Sequence, residues 1–121
     1  MRFLTVFSAV EREGPPDAEE VAQMGKLIGE MAAAGVLQST EGCQSTALGA
    51  RVRRSGGRVG VTDGPFSEAK EVVGGFAILE VASKAEAIEW TKRFLAVAGD
   101  GEAEIRQLYD EPAFDASAST H

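Results

Sequence analysis

Residues Arg2 to Val10 alternate between two apolar faces, with Phe3, Thr5, Phe7 and Ala9 on one side and Leu4 and Val6 on the other. Successive side chains of a strand point to opposite sides, so a segment apolar on both belongs in the middle of a sheet. Gly74 to Val81 has the same character, with Phe76 and Ile78 opposed to Ala77, Leu79 and Val81. Only two segments carry helical spacing. In the first, Val21, Met24, Leu27, Ile28 and Met31 recur behind Asp17, a predicted N-cap with Glu20 placed to complete a capping box, and Gly35 marks the stop. In the second, Ala87, Trp90, Thr91, Phe94 and Leu95 follow Ser83 and Glu86, and Gly99 and Gly101 end the helix. Between them lie a short strand or extended arm from Val36 to Gly42 and a hairpin. The hairpin runs from Leu48 to Arg54 and from Arg58 to Thr62 around Gly56-Gly57. A last strand is expected from Glu104 to Tyr109.

Strand, helix, strand and hairpin, strand, helix, strand is the order of a ferredoxin-like α+β plan: an antiparallel sheet with both helices on one face. The domain is expected over residues 1–109 and a polar tail over 110–121, with Phe114 available to pack on something. Two helices cover one side of such a sheet, and the other keeps several large apolar side chains. At about 25 cal/mol per Å² of apolar surface, leaving them wet forgoes several kcal/mol. A patch of that kind calls for a partner. A homodimer with its sheets face to face meets the need and leaves room for a pocket between them.

Composition excludes several chemistries. The chain has 121 residues and a net charge of -7, which argues against binding nucleic acid or an anionic membrane surface. Arg51, Arg53, Arg54 and Arg58 straddle the hairpin turn and read as a solvated basic cluster. One cysteine, Cys43, allows no internal disulfide and fits a reducing cytoplasm; it is expected to be a small buried residue. No secretory leader pattern and no stretch of roughly 20 apolar residues is present. The single histidine is His121, so zinc sites of the nitrogen–sulfur type, Ser-His-Asp triads and Cys-His pairs are not expected. Neither a metal nor a cofactor is expected.

The polar stretch with most chemical character is Val61-Thr62-Asp63-Gly64-Pro65-Phe66-Ser67-Glu68-Ala69-Lys70-Glu71. A strand stops at an Asp-Gly-Pro turn and an acid-base-acid cluster follows. Asp63 is a candidate base or ligand anchor, or else an Asx-type turn residue whose carboxylate accepts backbone N–H groups. Lys70 and Glu71 are candidates for polar support of an anionic substrate, or a solvated bend. Phe66 is a core plug or else a pocket wall, and Phe66, Ser67 and Glu68 are the substrate-binding candidates. Gly25 and Gly29 lie four apart on the first helix, either to allow close approach or as tolerated glycines.

This stretch, with Gly74-Gly75-Phe76 behind it, resembles the YCII-related proteins, in the branch named for the Asp-Gly-Pro-Phe motif. The resemblance runs from Met1 to Tyr109. Ala34-Gly35-Val36-Leu37, Glu41-Gly42 and Ala85-Glu86-Ala87-Ile88-Glu89-Trp90 support it. It implies a dimeric α+β barrel, a fold shared with muconolactone isomerases, cofactor-free monooxygenases and a dehydrochlorinase. A His-Asp pair attributed to several such proteins cannot be carried over, because this chain has no internal histidine. The expected function is small-molecule binding near the Asp63-Gly64-Pro65-Phe66 corner. Its catalytic form would be a cofactor-independent isomerase or lyase with Asp63 as base. The alternative is a noncatalytic ligand-binding or regulatory module acting through a protein partner.

Overall fold

The computed structural model describes residues 1–110; except for Asp110, the expected tail, Phe114 included, lies outside them. Strand β1 (Arg2–Ala9) leads to helix α1 (Ala18–Ala33) and strand β2 (Leu37–Gly42). A turn of 3₁₀ helix at Thr46–Leu48 precedes the hairpin β3 (Ala50–Ser55) and β4 (Arg58–Asp63). Strand β5 (Val72–Glu80), helix α2 (Lys84–Ala98) and strand β6 (Glu102–Gln107) complete the chain. The sheet order is β2-β5-β1-β6, every neighbouring pair is antiparallel, and β3-β4 forms a sheet of its own. This is the ferredoxin-like α+β plan, with the two most apolar strands at the centre. None of the helices in the described residues is long and apolar enough to cross a membrane.

Local chemistry sets the helix ends. The Asp17 carboxylate accepts the Glu20 N–H at 2.7 Å, and Ser83 Oγ accepts the Glu86 N–H at 3.2 Å. Neither reciprocal bond of a capping box forms. Arg12 Nη2 donates to Glu20 at 2.8 Å, and the Ala82 N–H donates to Glu86 at 3.1 Å, one residue before the cap. Helix α1 ends where Gly35 takes φ 72°, a conformation that favours glycine. Strand β6 begins and ends two residues earlier than the side-chain pattern predicts, so Tyr109 lies beyond it and is exposed.

The core sits between the helices and one half of the sheet. Phe3 on β1 stands directly opposite Leu79 on β5, and both are 1% exposed. Leu27 and Met31 of α1, Ala87 of α2, and Val36 and Val81 close around them. Residues opposite each other in a ladder share a face, so Thr5, Phe7, Ala77 and Ile105 also look toward the helices. Leu4, Val6, Phe76 and Ile78 look the other way and are only half-buried. The hairpin does not bury them, being exposed along both strands. The Arg93 guanidinium donates to Glu30 and so ties α2 to α1; its charge holds the Glu30 carboxyl below the ordinary carboxylate range.

Candidate functional site

Where Phe3 and Leu79 meet, the space under the helices is filled. Toward the other end of β1 it is not. Thr5 is flanked across the ladders by Ala77 and Ile105, and Phe7 by Gly75 and Ala103. Apart from Ile105 these neighbours are small, and they leave the helices few side chains to rest on. Gly75 cannot be enlarged cheaply, because a Cβ there would lie 2.8 Å from the Glu41 carbonyl oxygen. A cavity of about 1070 Å³ results, roofed by Met24, Leu27 and Ile28 of α1 and by Trp90 and Phe94 of α2. Phe94 also meets Phe7 edge-on, with ring centroids 5.2 Å apart. Trp90 and Phe94 are half-buried for this reason, where their spacing alone predicts core.

Gly25 lines the same cavity, and a Cβ built on it meets nothing within 4 Å. Its missing side chain therefore does not serve close approach to the sheet; it widens the cavity. Gly29 has the same free space but lies outside the lining.

The mouth is apolar at its rim and polar in its loop. Val10, Val21 and Val73 border it, at 68%, 55% and 49% exposed. The charged lining residues are Glu11, Arg12, Glu20 and Glu41, all at least partly exposed. Glu11 is held in a defined position: its two oxygens accept the Thr46 N–H and the Thr46 hydroxyl, each at 2.7 Å. Those bonds, the backbone one above all, keep its carboxyl below the ordinary carboxylate range. A depressed carboxyl contributes stability that is present above its unfolded pKa and lost as pH falls through the folded value. The melting-temperature difference between wild type and Glu11→Gln should therefore be constant near neutral pH. It should shrink as acid takes the solution through and below the ordinary carboxylate range. A difference that does not change with pH would show the pair to be energetically silent.

Cys43 also lines the mouth and is exposed, contrary to the small buried role expected of it; its N–H donates to the Gly74 carbonyl at 2.9 Å, just past the end of the β2-β5 ladder.

The six residues singled out at the Asp-Gly-Pro-Phe corner lie elsewhere. Asp63, Phe66, Ser67, Glu68, Lys70 and Glu71 are all absent from the cavity lining. Asp63 ends β4, is exposed, and has no hydrogen-bonded partner for its carboxylate among the described residues; the Asx-type turn does not form. Phe66 lies under the Arg51 guanidinium, 3.8 Å from ring centre to carbon, and Glu68 pairs with the same guanidinium at 3.0 Å. Ser67, Lys70 and Glu71 are exposed in the bend before β5. What the corner does in this fold is hold the hairpin. The Gly64 N–H donates to the Gly49 carbonyl at 2.9 Å, and the Phe66 N–H donates to Thr46 Oγ1 at 3.2 Å, the hydroxyl that in turn binds Glu11. The corner thus reaches the cavity mouth through Thr46.

The side-chain pattern alone does not reveal this cavity. Its signals are the glycine in mid-helix at Gly25 and the small residues Gly75 and Ala77 among large ones.

Comparison with curated proteins finds no match. Comparison with family models finds one that covers residues 1–111, described as the YCII-related domain. With that match spanning nearly the whole chain, the protein belongs to the YCII-related family.

Proposed function

We propose that this protein binds an uncharged, largely apolar small molecule in the cavity between its helices and its sheet. The observation that carries this reading is the cavity itself, apolar on its roof and floor, with charge confined to its mouth. Ligand sites are typically concave and apolar with a few placed polar groups. An ion entering such walls would lose its hydration without a partner, so the part of the ligand that enters is neutral. Met24 and Met31 among the lining give walls that adapt to shape.

The reading assigns binding and not turnover. A general base works best with a proton affinity near the operating pH, and the lining carboxylate whose affinity is displaced, Glu11, is displaced downward. Asp63, Lys70 and Glu71 carry no role in it.

Gly25→Leu tests the reading. Leucine is the better helix former by roughly 0.8–1 kcal/mol, so the unliganded variant should melt higher than wild type. Its side chain occupies ligand space, so the affinity for a neutral polycyclic probe, measured by fluorescence titration, should fall at least about tenfold, or 1.4 kcal/mol. Wild type should be stabilised by such a probe, by about 2.7 kcal/mol at a hundred times its dissociation constant. A wild type that no neutral apolar probe stabilises, or a Gly25→Leu variant that binds as tightly, removes the cavity from consideration.

A further inference from the structure

One side chain on the cavity floor is out of keeping with its surroundings. Thr5 stands in the middle of β1, on the side that faces the helices, between Ala77 of β5 and Ile105 of β6. Four hydroxyl side chains line the cavity, and three of them are engaged within the protein. Thr40 Oγ1 donates to the Phe76 carbonyl at 3.0 Å, and Thr91 Oγ1 donates to the Ala87 carbonyl at 2.8 Å. Ser45 Oγ accepts the Ala47 N–H at 3.1 Å. Thr5 Oγ1 is the fourth, and it has no hydrogen-bonded partner among the described residues. It is not sealed in either, since no side-chain polar atom among those residues is both buried and unpaired. With β5 and β6 on either side and the helices above, the space open to this hydroxyl is the cavity.

A valine has the same shape and suits a strand equally well, so packing does not call for the oxygen. A hydroxyl in apolar surroundings costs free energy unless it is bonded. What fills the cavity beside Thr5 must therefore bring an acceptor. Two hydroxyls facing each other spend only one of their two protons, whereas a carbonyl oxygen takes the Thr5 proton and brings none. A carboxylate is disfavoured by the apolar walls, and also at the mouth, where Glu11, Glu20 and Glu41 stand with the single cation Arg12.

We infer that the Thr5 hydroxyl orients the ligand, and that the ligand is a neutral apolar molecule bearing a carbonyl oxygen that accepts the Thr5 proton. The inference rests on the cavity being a ligand site. The Trp90 indole N–H on the roof has no partner among the described residues either. Its ring also lies against the Arg93 guanidinium, 4.9 Å from ring centre to carbon and outside the lining, so it is not confined to the cavity as Thr5 is.

Fluorene and fluorenone test it, because they share a ring skeleton and differ in the carbonyl. Calorimetric titration of both into wild type and Thr5→Val gives a double-mutant cycle in which the difference in probe hydration cancels. Thr5→Val should weaken fluorenone relative to fluorene by about three- to tenfold, the worth of one net hydrogen bond. Thr5→Ser should restore the preference, and Thr5→Ala, also without the hydroxyl, serves if the valine variant does not fold. The carbonyl stretch of bound, isotope-labelled fluorenone should lie at lower frequency in wild type than in Thr5→Val. A fluorene-to-fluorenone ratio unchanged by Thr5→Val overturns the inference and leaves the cavity reading standing. A stretch that stays low in Thr5→Val also overturns it, and assigns the bond to another donor, Trp90 foremost. A wild type that binds neither probe overturns the cavity reading and this inference together.

Discussion

Phe3→Ala is expected to destabilise the protein by about 3–5 kcal/mol, the range for emptying a phenylalanine site in a core. Phe3 is 1% exposed and faces the equally buried Leu79 across the β1-β5 ladder, with Leu27 and Met31 of α1 in the same cluster. The helices rest firmly on the sheet here, because the far end of the seam is open. Neighbours cannot collapse into the vacated space without drawing α1 down onto a floor that already lacks side chains. A marginal domain has about 5–15 kcal/mol in total, so the loss is a large share of it. Urea unfolding should show the midpoint falling with the slope unchanged. Phe3→Leu, which keeps most of the volume, should cost much less and serves if the alanine variant does not fold. A loss below about 1 kcal/mol for Phe3→Ala, the size expected of an ordinary surface site, would mean that the core is centred elsewhere.

Gly64→Ala carries the second large effect. A Cβ at this position would lie 1.6 Å from the Thr46 carbonyl oxygen and 2.6 Å from its carbon, both backbone atoms that no rotamer change can move. The turn at the hairpin root must open. Its Gly64-to-Gly49 hydrogen bond and the Phe66-to-Thr46 bond are then strained or lost. Overpacking of this kind costs about 1–3 kcal/mol, with the upper end expected where backbone faces backbone. Because Thr46 also holds Glu11, the variant should lose the pH-dependent part of stability along with the rest. Melting curves of Gly64→Ala against Gly60→Ala, a hairpin glycine whose Cβ would meet nothing within 4 Å, measure the effect of the clash alone. Equal melting temperatures would show that the corner yields freely.

Much of the fold was legible because the signals are local. Asp17 and Ser83 cap the helices they were expected to cap, Gly35 ends α1, and Gly56 and Gly57 take φ of 57° and 78°, as a two-residue turn of the primed type requires. The central place of β1 and β5 follows from side chains apolar on both faces. The detachment of the hairpin was not legible, since alternation shows that two strands pair but not whether they join a larger sheet. The site was less legible still. A cavity is made of absences, and Gly75 and Ala103 become a gap only once register sets them beside Phe7. At the Asp-Gly-Pro-Phe corner the clustering of polar residues in sequence does not carry over to a pocket. In the folded chain Gly64 and Phe66 anchor the hairpin, and Asp63, Lys70 and Glu71 stand in solvent.

The hairpin β3-β4 is fastened by a handful of polar bonds at its root and shares no side chain with the buried cluster around Phe3. Opening it breaks those bonds and the stacking of Arg51 on Phe66 but leaves that cluster intact, so it is expected at a free energy below that of global unfolding. Hydrogen exchange is therefore expected to resolve two cooperative units of unequal strength, a durable body and a less protected hairpin.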